Sequence, residues 1–218
     1  MDFQVLTVYR HLKQFIKNKN GNVLDMGCGE CPYKQLFVKN FEYVGMDYFD
    51  STAFSYNTKG IVKFDGKTIP FEDNSFDQII CTEVLEHVEQ VQPMINEIHR
   101  TVKKGKEVFI TIPWSARYHY IPNDYYRFTP SMLKILFKDF SQIEIIPRGT
   151  DVTTIASKLI VLIVRGLMPK NARQILFFPL NVVFIPFLLL IVPIGHLSLL
   201  FNLGSMNDPL GYTIKLVK

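Results

Sequence analysis

The sequence has few cysteines and little net charge, and both features exclude certain classes of protein. Three of the 218 residues are cysteine, a small and odd number that excludes a disulfide framework and favours a reducing cytoplasm. The formal charge is +4, and the lysines and arginines are spread along the chain without a basic cluster, so we expect no nucleic-acid partner. A chain of this length suits one domain with an elaboration.

We also expect neither a secretory leader nor a metal-binding motif in this sequence. Charged residues interrupt the apolar residues at the amino terminus, which excludes a signal peptide there. Cys28 and Cys31 form a C-x-x-C pair, but no second Cys or His pair at zinc-ligand spacing lies near it. We therefore expect no metal site, and we interpret the two cysteines as small residues that line a tight turn.

Short apolar runs alternate with helical stretches along the chain. Apolar residues at helical spacing predict an amphipathic helix at the amino terminus. The predicted strands are 23–25, 43–47, 60–65, 76–81, 106–113, 141–146 and 212–217, with helices over 32–39, 83–102 and 131–137. Strands separated by helical crossovers imply a parallel sheet. The predicted fold class is α/β: a Rossmann-like, seven-stranded, mostly parallel sheet with an antiparallel terminal strand, plus an apolar helical insertion before that strand.

An acid and two glycines follow the first predicted strand. Gly27 and Gly29 let the backbone approach a ligand closely, because a side chain at either position would clash. Asp25 precedes them where a dinucleotide fold prepares to receive a pyrophosphate, and an anion there repels a diphosphate. A cationic ligand suits this acid better. The sulfonium and α-amino groups of S-adenosylmethionine are such cations, which a carboxylate binds directly or through water.

Acids also end the second and third predicted strands. Asp47 lies 18 residues after Gly29, at the distance where an acid accepts hydrogen bonds from ribose hydroxyls. Asp65 ends the next strand, where a carboxylate can accept from an adenine amino group. Each acid alone is equally well explained as an ordinary loop residue. Acids at three successive strand ends favour one nucleoside-binding site.

The sequence resembles the class I, type 11 methyltransferases over residues 20–148, with 212–217 as the closing strand. The motifs that carry this resemblance are V-L-D-M-G-C-G at 23–29, Asp47, F-D at 64–65, F-D-Q-I-I at 76–80 and E-V-L-E-H-V at 83–88. The sequence departs from the commonest form of the turn at Cys31, where that form has a third glycine. Its G-C-G-x-x-P-Y version, at 27–33, is similar to a subgroup often associated with cell-surface glycan pathways.

The resemblance implies a role for each residue of an S-adenosylmethionine site. By position, Asp47 would bind the ribose, and Asp65 and Gly66 would bind the adenine. Thr82 and Glu83 would lie beside the cofactor. The residues around the methionine portion would be Asp25, Gly27, Cys28 and Gly29. Glu83 and His87 are four residues apart and would share one helix face. His87 is then either packed or paired in the structure, or catalytic, and the sequence leaves this open.

An aromatic segment, Tyr118–Pro130, follows the fifth predicted strand, over the expected mouth of the methyl-donor site. Its rings, beside Asp, Arg and His, are suited to wall a sugar or ring substrate. The candidate catalytic residues are His119, Tyr126 and Arg127, with His119 as the base for a hydroxyl acceptor, because a neutral imidazole titrates near working pH. The alternative is a lid held by aromatic packing, with Thr129 capping the following helix.

A long apolar stretch precedes the last predicted strand. No Asp, Glu, Lys or Arg occurs from Gln174 to Asn207, and Ile175–Ile194 is long enough to span a bilayer. A single crossing is excluded because the terminal strand must rejoin the sheet. Three evenly spaced prolines are expected to break the helix and favour a bent hairpin at the membrane surface: Pro179, Pro186 and Pro193. Basic residues before the stretch suit an anionic leaflet: Lys158, Arg165, Lys170 and Arg173. The alternatives are an oligomer interface and a cap over the substrate.

The predicted function is methyl transfer from S-adenosylmethionine to a small-molecule or lipid-linked acceptor, of the glycan or polyprenyl type. We expect a cytoplasmic enzyme attached to the cytoplasmic face of the membrane, with a methyltransferase domain at 1–149 and 209–218 and the insertion at 150–208. One alternative is a NAD-dependent oxidoreductase, which Asp25 and the missing third glycine disfavour. The other is a non-catalytic binding or scaffold protein that retains the fold.

Overall fold

The computed structural model describes residues 2–48, 58–169 and 171–218. The helices are α1 (Phe3–Phe15), α2 (Val91–Thr101), α3 (Pro130–Leu136), α4 (Asp151–Gly166), α5 (Ala172–Val183) and α6 (Ile185–Phe201). The strands are β1 (Gly21–Met26), β2 (Phe41–Tyr48), β3 (Val62–Phe64), β4 (Phe76–Thr82), β5 (Val102–Pro113), β6 (Gln142–Arg148) and β7 (Gly211–Val217). The chain divides into a sheet unit, Val8–Ile146 with Tyr212–Lys218, and a helical unit, Met1–Thr7 with Pro147–Gly211.

The seven strands form one sheet in the order β3-β2-β1-β4-β5-β7-β6. Every pairing among β1 to β5 is parallel. β7 is antiparallel to both neighbours, since Lys218 N–H donates to Lys106 O near the start of β5 and Ser141 N–H, just before β6, donates to Val217 O. The strand order reverses between β1 and β4, which is where α/β sheets bind ligands. The predicted α/β class, with its antiparallel terminal strand and helical insertion, is confirmed.

Apolar side chains on both faces of the central strands form the core of the sheet unit. On β4, Ile79 contributes to the cluster that includes α2 and α3, whereas Ile80 packs with Leu12 and Phe15 of α1. All four side chains are almost completely buried. A parallel sheet that is covered on both faces requires strands with near-continuous apolar runs.

The predicted helix over 32–39 is wrong. Only a 3₁₀ turn, Lys34–Leu36, forms there. Its backbone N–H groups donate to carbonyls three residues back, from Lys34 to Cys31 and from Phe37 to Lys34. This tighter pattern does not propagate beyond a few residues, so the segment remains a compact connection between β1 and β2.

The predicted helix over 83–102 is also too long. Glu83 has a φ of 55°, in the left-handed region that an α-helix excludes, and a 3₁₀ turn follows at Leu85–His87. The α-helix begins only at Val91, with Pro93 in its first turn, where the missing N–H would have no helical partner. Glu83 and His87 therefore do not share a helix face.

The helical unit contains a buried hydroxyl cluster between α4 and α6. Thr150 caps α4, and its Oγ1 lies 2.8 Å from Ser198 Oγ on α6. Thr153 Oγ1 lies 2.7 Å from the same Ser198 atom. One turn earlier on α6, a Cβ at Gly195 would lie 2.4 Å from the Phe3 ring, so only glycine fits there. Small and polar residues thus bring these helices close together.

The long apolar stretch is divided between α5 and α6. Pro186 lies in the first turn of α6, where a backbone N–H would have no acceptor within the helix, so the proline costs no hydrogen bond. Pro179 and Pro193 lie inside α5 and α6, so the predicted breaks at these two prolines are wrong. Each helix continues past its proline at the loss of one backbone hydrogen bond. Within the described ranges, no helix is both long and apolar enough to cross a bilayer.

Candidate active site

A cleft of about 900 Å³ opens beside the carboxyl ends of β1, β2 and β4. The predicted cofactor and catalytic residues that line it are Gly27, Cys28, Gly29, Asp47, Asp65, Gly66, Thr82, Glu83 and His119. Three predicted residues are not in its wall: Asp25, which is buried, and Tyr126 and Arg127, which line a neighbouring groove of about 650 Å³. The structure therefore brings together most of the predicted cofactor residues.

The glycine turn after β1 is held by hydrogen bonds to β2. Gly27 N–H donates to Met46 O at 2.8 Å, and Gly29 N–H donates to Asp47 Oδ2 at 2.6 Å. Both glycines have a positive φ, 70° and 53°, which other residues rarely adopt. A Cβ at Gly27 would also lie only 2.4 Å from a methyl group of Val84. Glycine is therefore required at position 27 for its conformation and for space.

Asp47 ends β2 with its carboxylate fixed in place. Besides the bond from Gly29, its Oδ1 accepts the N–H of Tyr48 at 2.7 Å, and only 6% of the residue is exposed. A carboxylate has about four acceptor positions. The two backbone donors occupy two of them, which leaves acceptor capacity for the hydroxyl groups of a ligand in the cleft.

Asp65 stabilises the turn after β3. Its Oδ1 accepts the N–H groups of Thr68 and Lys67 at 2.9 and 2.8 Å, and these bonds lower the pKa of the Asp65 carboxyl. A Cβ at Gly66 would lie 3.1 Å from the Tyr48 ring. Tyr48 is a cleft residue that the sequence analysis missed, although its place directly after Asp47 at a strand end was a usable signal.

Asp25 lies beneath the glycine turn. It is 1% exposed, Tyr43 Oη donates to its Oδ2 at 2.5 Å, and its Oδ1 has no hydrogen-bond partner. Burial raises the pKa of Asp25 to about 7, although the Tyr43 hydrogen bond opposes this shift. Because the carboxyl group is enclosed, Asp25 does not reach a ligand in the cleft directly.

The two cysteines of the turn lie against β2. A Cβ at Gly45 would lie 3.1 Å from Cys28 Sγ and 3.4 Å from Cys31 Sγ, so the thiols fill the space that this glycine leaves. Burial raises the pKa of the Cys28 thiol. The thiolate, which is the form that binds metals and attacks disulfides, is therefore disfavoured at this position.

Asp124 is the buried centre of the segment that follows β5. Its two oxygens accept a bidentate pair of hydrogen bonds from Arg127, at 2.6 and 2.9 Å. Its Oδ2 also accepts the backbone N–H of His119 and lies 3.0 Å from His119 Nδ1. Burial opposes ionisation, but the bonds from Arg127 and His119 hold the pKa of Asp124 well below its usual range. Asp124 was not among the predicted site residues, although it fixes the position of His119.

Tyr126 occupies a packed position outside the cleft. Its Oη donates to Glu89 O at 2.6 Å, and its ring stacks on Phe128 with centroids 5.0 Å apart. Thr129 Oγ1 accepts the N–H of Met132 at 3.2 Å and so caps α3. The structure therefore favours a packing role for Tyr126, and Arg127 is engaged by Asp124.

His87 lines the cleft, and Glu86 is buried next to it. His87 Nδ1 is 2.5 Å from Asn123 O, and the His87 ring is 4.9 Å from the His119 ring. Glu86 is fully buried, and neither carboxylate oxygen has a hydrogen-bond partner. Burial and the nearby charge of Glu83 raise the pKa of Glu86 well above its usual range.

We predict that Asp25→Asn removes a pH-dependent loss of stability. The folded pKa of about 7 exceeds the ordinary value of 3.8, so the protonated group contributes fully below pH 3.8 and this contribution is lost as the pH rises through 7. Asparagine is neutral throughout and retains an oxygen for Tyr43. Melting temperatures should show a variant advantage that grows with pH and levels off above about pH 8. A pH-independent difference would contradict this; the exposed Asp139→Asn is the control.

Comparison with known proteins gives matches in sequence and in fold. Residues 24–110 match the family model described as a methyltransferase domain. A ubiquinone biosynthesis O-methyltransferase of Rickettsia bellii is 34% identical over 99 residues, which cover 41% of this chain and 41% of that protein. The chain spans less than half the length of the first curated relatives that it matches.

Two solved structures are similar over nearly the whole chain. A SAM-dependent methyltransferase from Archaeoglobus fulgidus is 20% identical, with a TM-score of 0.59 over 99% of this chain and 94% of its own. Phosphoethanolamine N-methyltransferase 2 of Haemonchus contortus, in complex with S-adenosyl-L-methionine, is 17% identical, with a TM-score of 0.59 over 98% of this chain and 52% of its own. These likenesses establish the fold.

The residues of the cleft fit S-adenosylmethionine as the cofactor. The Gly27 turn packs tightly against Val84 at the wall of the cleft, Asp47 retains acceptor capacity, and Gly66 lies close to the Tyr48 ring. A site for a nucleoside with a short polar extension needs these features. In its fold and in the motifs of residues 24–110, the chain is similar to the class I S-adenosylmethionine-dependent methyltransferases.

Proposed function

We propose that this protein transfers the methyl group of S-adenosylmethionine to a small-molecule or lipid-linked acceptor. The observation that carries the proposal is the cleft in which the Gly27 turn, Asp47 and Gly66 lie together at the ends of neighbouring strands. When bound, the cofactor supplies an electrophilic methyl group. A site that holds the acceptor atom in line with that group can lower the barrier by roughly 7 to 11 kcal/mol through orientation alone.

We assign the cofactor contacts by position in the cleft. Asp47 would bind the ribose hydroxyls, Asp65 and Gly66 the adenine, and the turn at Gly27, Cys28 and Gly29 the methionine portion, with Thr82 and Glu83 beside them. Asp25 would act indirectly, because it holds Tyr43 of β2 beneath the turn. A cation bound above the turn would lower the pKa of the Asp25 carboxyl and favour its ionised form.

His119 is the residue best placed to activate a hydroxyl acceptor. Its Nδ1 lies 2.9 Å from Arg117 O, and a carbonyl can only accept, so Nδ1 carries the proton and Nε2 has the lone pair. Asp124 accepts from the same Nδ1 and holds the ring, as the acid does in an acid-histidine pair. Nε2 would take the hydroxyl proton while the oxygen attacks the methyl carbon, giving a methyl ether and S-adenosylhomocysteine.

We further propose that the helical unit binds the cytoplasmic face of a membrane and that the acceptor is lipid-linked, of the glycan or polyprenyl type. Leu176, Leu189 and Leu200 are 74%, 78% and 68% exposed, and the stretch from Gln174 to Asn207 contains no Asp, Glu, Lys or Arg to disfavour contact with lipid. Lys158 and Arg165 lie on α4, whereas Lys170 lies outside the described residues. The G-C-G-x-x-P-Y turn supports a glycan pathway.

We predict that wild-type protein binds S-adenosylmethionine and S-adenosylhomocysteine in calorimetric titrations and that Gly27→Ala weakens both affinities by at least tenfold. The added Cβ meets Val84 at 2.4 Å and is strained at a φ of 70°. Gly105→Ala is the matched control, because Gly105 has the same φ with nothing within 4 Å, so it tests strain without the clash.

Two outcomes would contradict the cofactor assignment. One is tight binding of NAD by the wild type without binding of S-adenosylmethionine. The other is unchanged affinity in Gly27→Ala. Adding Val84→Ala to Gly27→Ala removes the clash but keeps the strain, so we expect this double variant to recover part of the lost affinity.

We predict that His119→Ala lowers turnover of a hydroxyl acceptor by about 10² to 10⁴-fold and leaves the affinity for S-adenosylmethionine within a fewfold of wild type. The reason is that His119 acts on the acceptor. Turnover is measured with radiolabelled cofactor, and affinity by calorimetry. His99→Ala, which alters a histidine packed against Phe140 and outside the cleft wall, is the control. Unchanged turnover in His119→Ala would end this assignment.

We predict that the protein sediments with vesicles containing anionic lipid and that Leu176→Gln/Leu189→Gln/Leu200→Gln abolishes most of this binding. Each leucine buried in lipid contributes roughly 1.5 to 3 kcal/mol, so the affinity should fall by more than tenfold. The control variant, Val38→Gln/Ile135→Gln, alters equally exposed apolar residues of the sheet unit. If the wild type stays in the supernatant at low salt, membrane attachment is wrong.

A further inference from the structure

Three potential metal ligands meet at the inner side of the cleft. Glu86, His87 and His119 each offer one ligand atom, and these atoms all lie within 4.8 Å of one another. Glu86 Oε1 is 3.6 Å from His87 Nε2, and the two imidazole rings are 4.9 Å apart at 76°. His87 and His119 line the cleft, so an ion can reach this group from solvent.

The hydrogen bonds of both histidines fix the tautomer that a metal requires. His87 Nδ1 faces Asn123 O, and His119 Nδ1 faces Arg117 O, both of which are carbonyls that only accept. Each Nδ1 therefore carries a proton, and each Nε2 presents a lone pair. Metal-binding histidines commonly donate their other ring N–H to a carbonyl or carboxylate in this way.

Glu86 supplies the second observation. Its carboxylate is fully buried with no hydrogen bond to either oxygen, and Oε1 faces the His87 Nε2 lone pair. Two acceptors at this distance repel unless a proton or a cation lies between them. A buried carboxyl group without a hydrogen bond costs free energy, and a bound metal ion is one group that offsets this cost.

The surrounding charges also favour a cation. The charged groups that act on Glu86 are Glu83, Asp124 and Arg127. The Arg127 guanidinium is bidentate to Asp124, which neutralises it locally. Glu83 lines the cleft, and its negative charge opposes ionisation of Glu86, which a nearby cation would favour.

We propose that Glu86, His87 and His119 bind one divalent cation of the Mn²⁺ or Zn²⁺ kind through a carboxylate oxygen and two Nε2 atoms. Two imidazoles and one carboxylate are a common protein ligand set for such ions and leave positions open for a substrate. Ligands about 2.1 Å from one ion lie at most about 4.2 Å apart, so a movement of roughly an ångström closes the set.

Hydrogen bonds already connect the two backbone segments that carry the three ligands. Tyr125 N–H donates to Glu86 O at 2.8 Å, and His87 is bonded to Asn123, so the segment that carries His119 is fixed to the turn that carries the other two ligands. Asp124 then holds the His119 ring from its Nδ1 side. This outer layer would keep the three ligands in place while an ion enters or leaves.

The ion would act on the acceptor, and this part of the inference rests on the proposed function. A hydroxyl group bound at an open position ionises more readily. Its proton passes to water, the oxygen attacks the methyl carbon, and the carbon–sulfur bond breaks to give a methyl ether and S-adenosylhomocysteine. With the ion bound, His119 would act as its ligand, in place of the general-base role proposed above for the metal-free site, and the acceptor class would narrow to molecules whose hydroxyl can reach the ion.

The test measures metal binding without any acceptor. Full-length protein treated with a chelator and then dialysed is titrated with Mn²⁺, and free Mn²⁺ is followed by electron paramagnetic resonance. We expect one ion per chain, displaced by Zn²⁺. Glu86→Gln and His119→Ala should each weaken Mn²⁺ binding by more than about tenfold, since loss of even an outer partner costs about 10 to 100-fold. Glu144→Gln, an exposed acid paired with Lys215, should bind like wild type.

Calorimetric titration of the same samples with S-adenosylmethionine separates this inference from the proposed function. Retained cofactor binding in Glu86→Gln shows that the variant is folded and that its metal defect is local. If wild type binds the cofactor but no Mn²⁺, or if Glu86→Gln binds Mn²⁺ as wild type does, the metal site is wrong and the proposed function stands. If Mn²⁺ binds as expected but the cofactor does not, the metal site stands and the proposed function fails.

Discussion

The hydrogen bonds from the turn after β1 to the end of β2 set the position of the cofactor site. Gly27 donates to Met46 and Gly29 to Asp47, so the backbone that approaches the ligand and the acid that faces it form one unit. The parallel register places Met26 opposite Met46, which makes the two strands end together. No side chain larger than hydrogen at position 27 is compatible with this arrangement, because Val84 occupies the adjacent space.

Three enclosed carboxylates around the cleft differ in what compensates them, and this difference separates their roles. Asp124 has Arg127 and His119, so it is an anchor for the segment that carries His119. Asp25 has one phenol hydrogen bond from Tyr43 and titrates near neutrality. Glu86 has no hydrogen bond on either oxygen and faces the two histidines. Burial without compensation is costly, so the least compensated acid is the one with most to gain from a cation.

Sequence patterns predicted the strands well because a buried strand carries its signal locally, in a short apolar run that ends in turn residues. The cap at Thr129 was predictable for the same reason. The helices after β1 and β4 were overestimated because their apolar residues allow a helix, whereas the backbone at Glu83 is left-handed. That conformation follows from the packing around the cleft, and residue preferences do not encode it.

The sequence by itself determined the order of the strands along the chain, the need for glycine after β1, and the acids at the ends of β2 and β3, because strand ends in a parallel sheet converge whatever the loops do. Only the tertiary structure decided that Asp25 lies beneath the turn, that Tyr126 and Arg127 lie outside the cleft, and that His119 meets Glu86 and His87. These outcomes depend on contacts between segments distant in the chain, and such contacts leave no local periodicity to recognise.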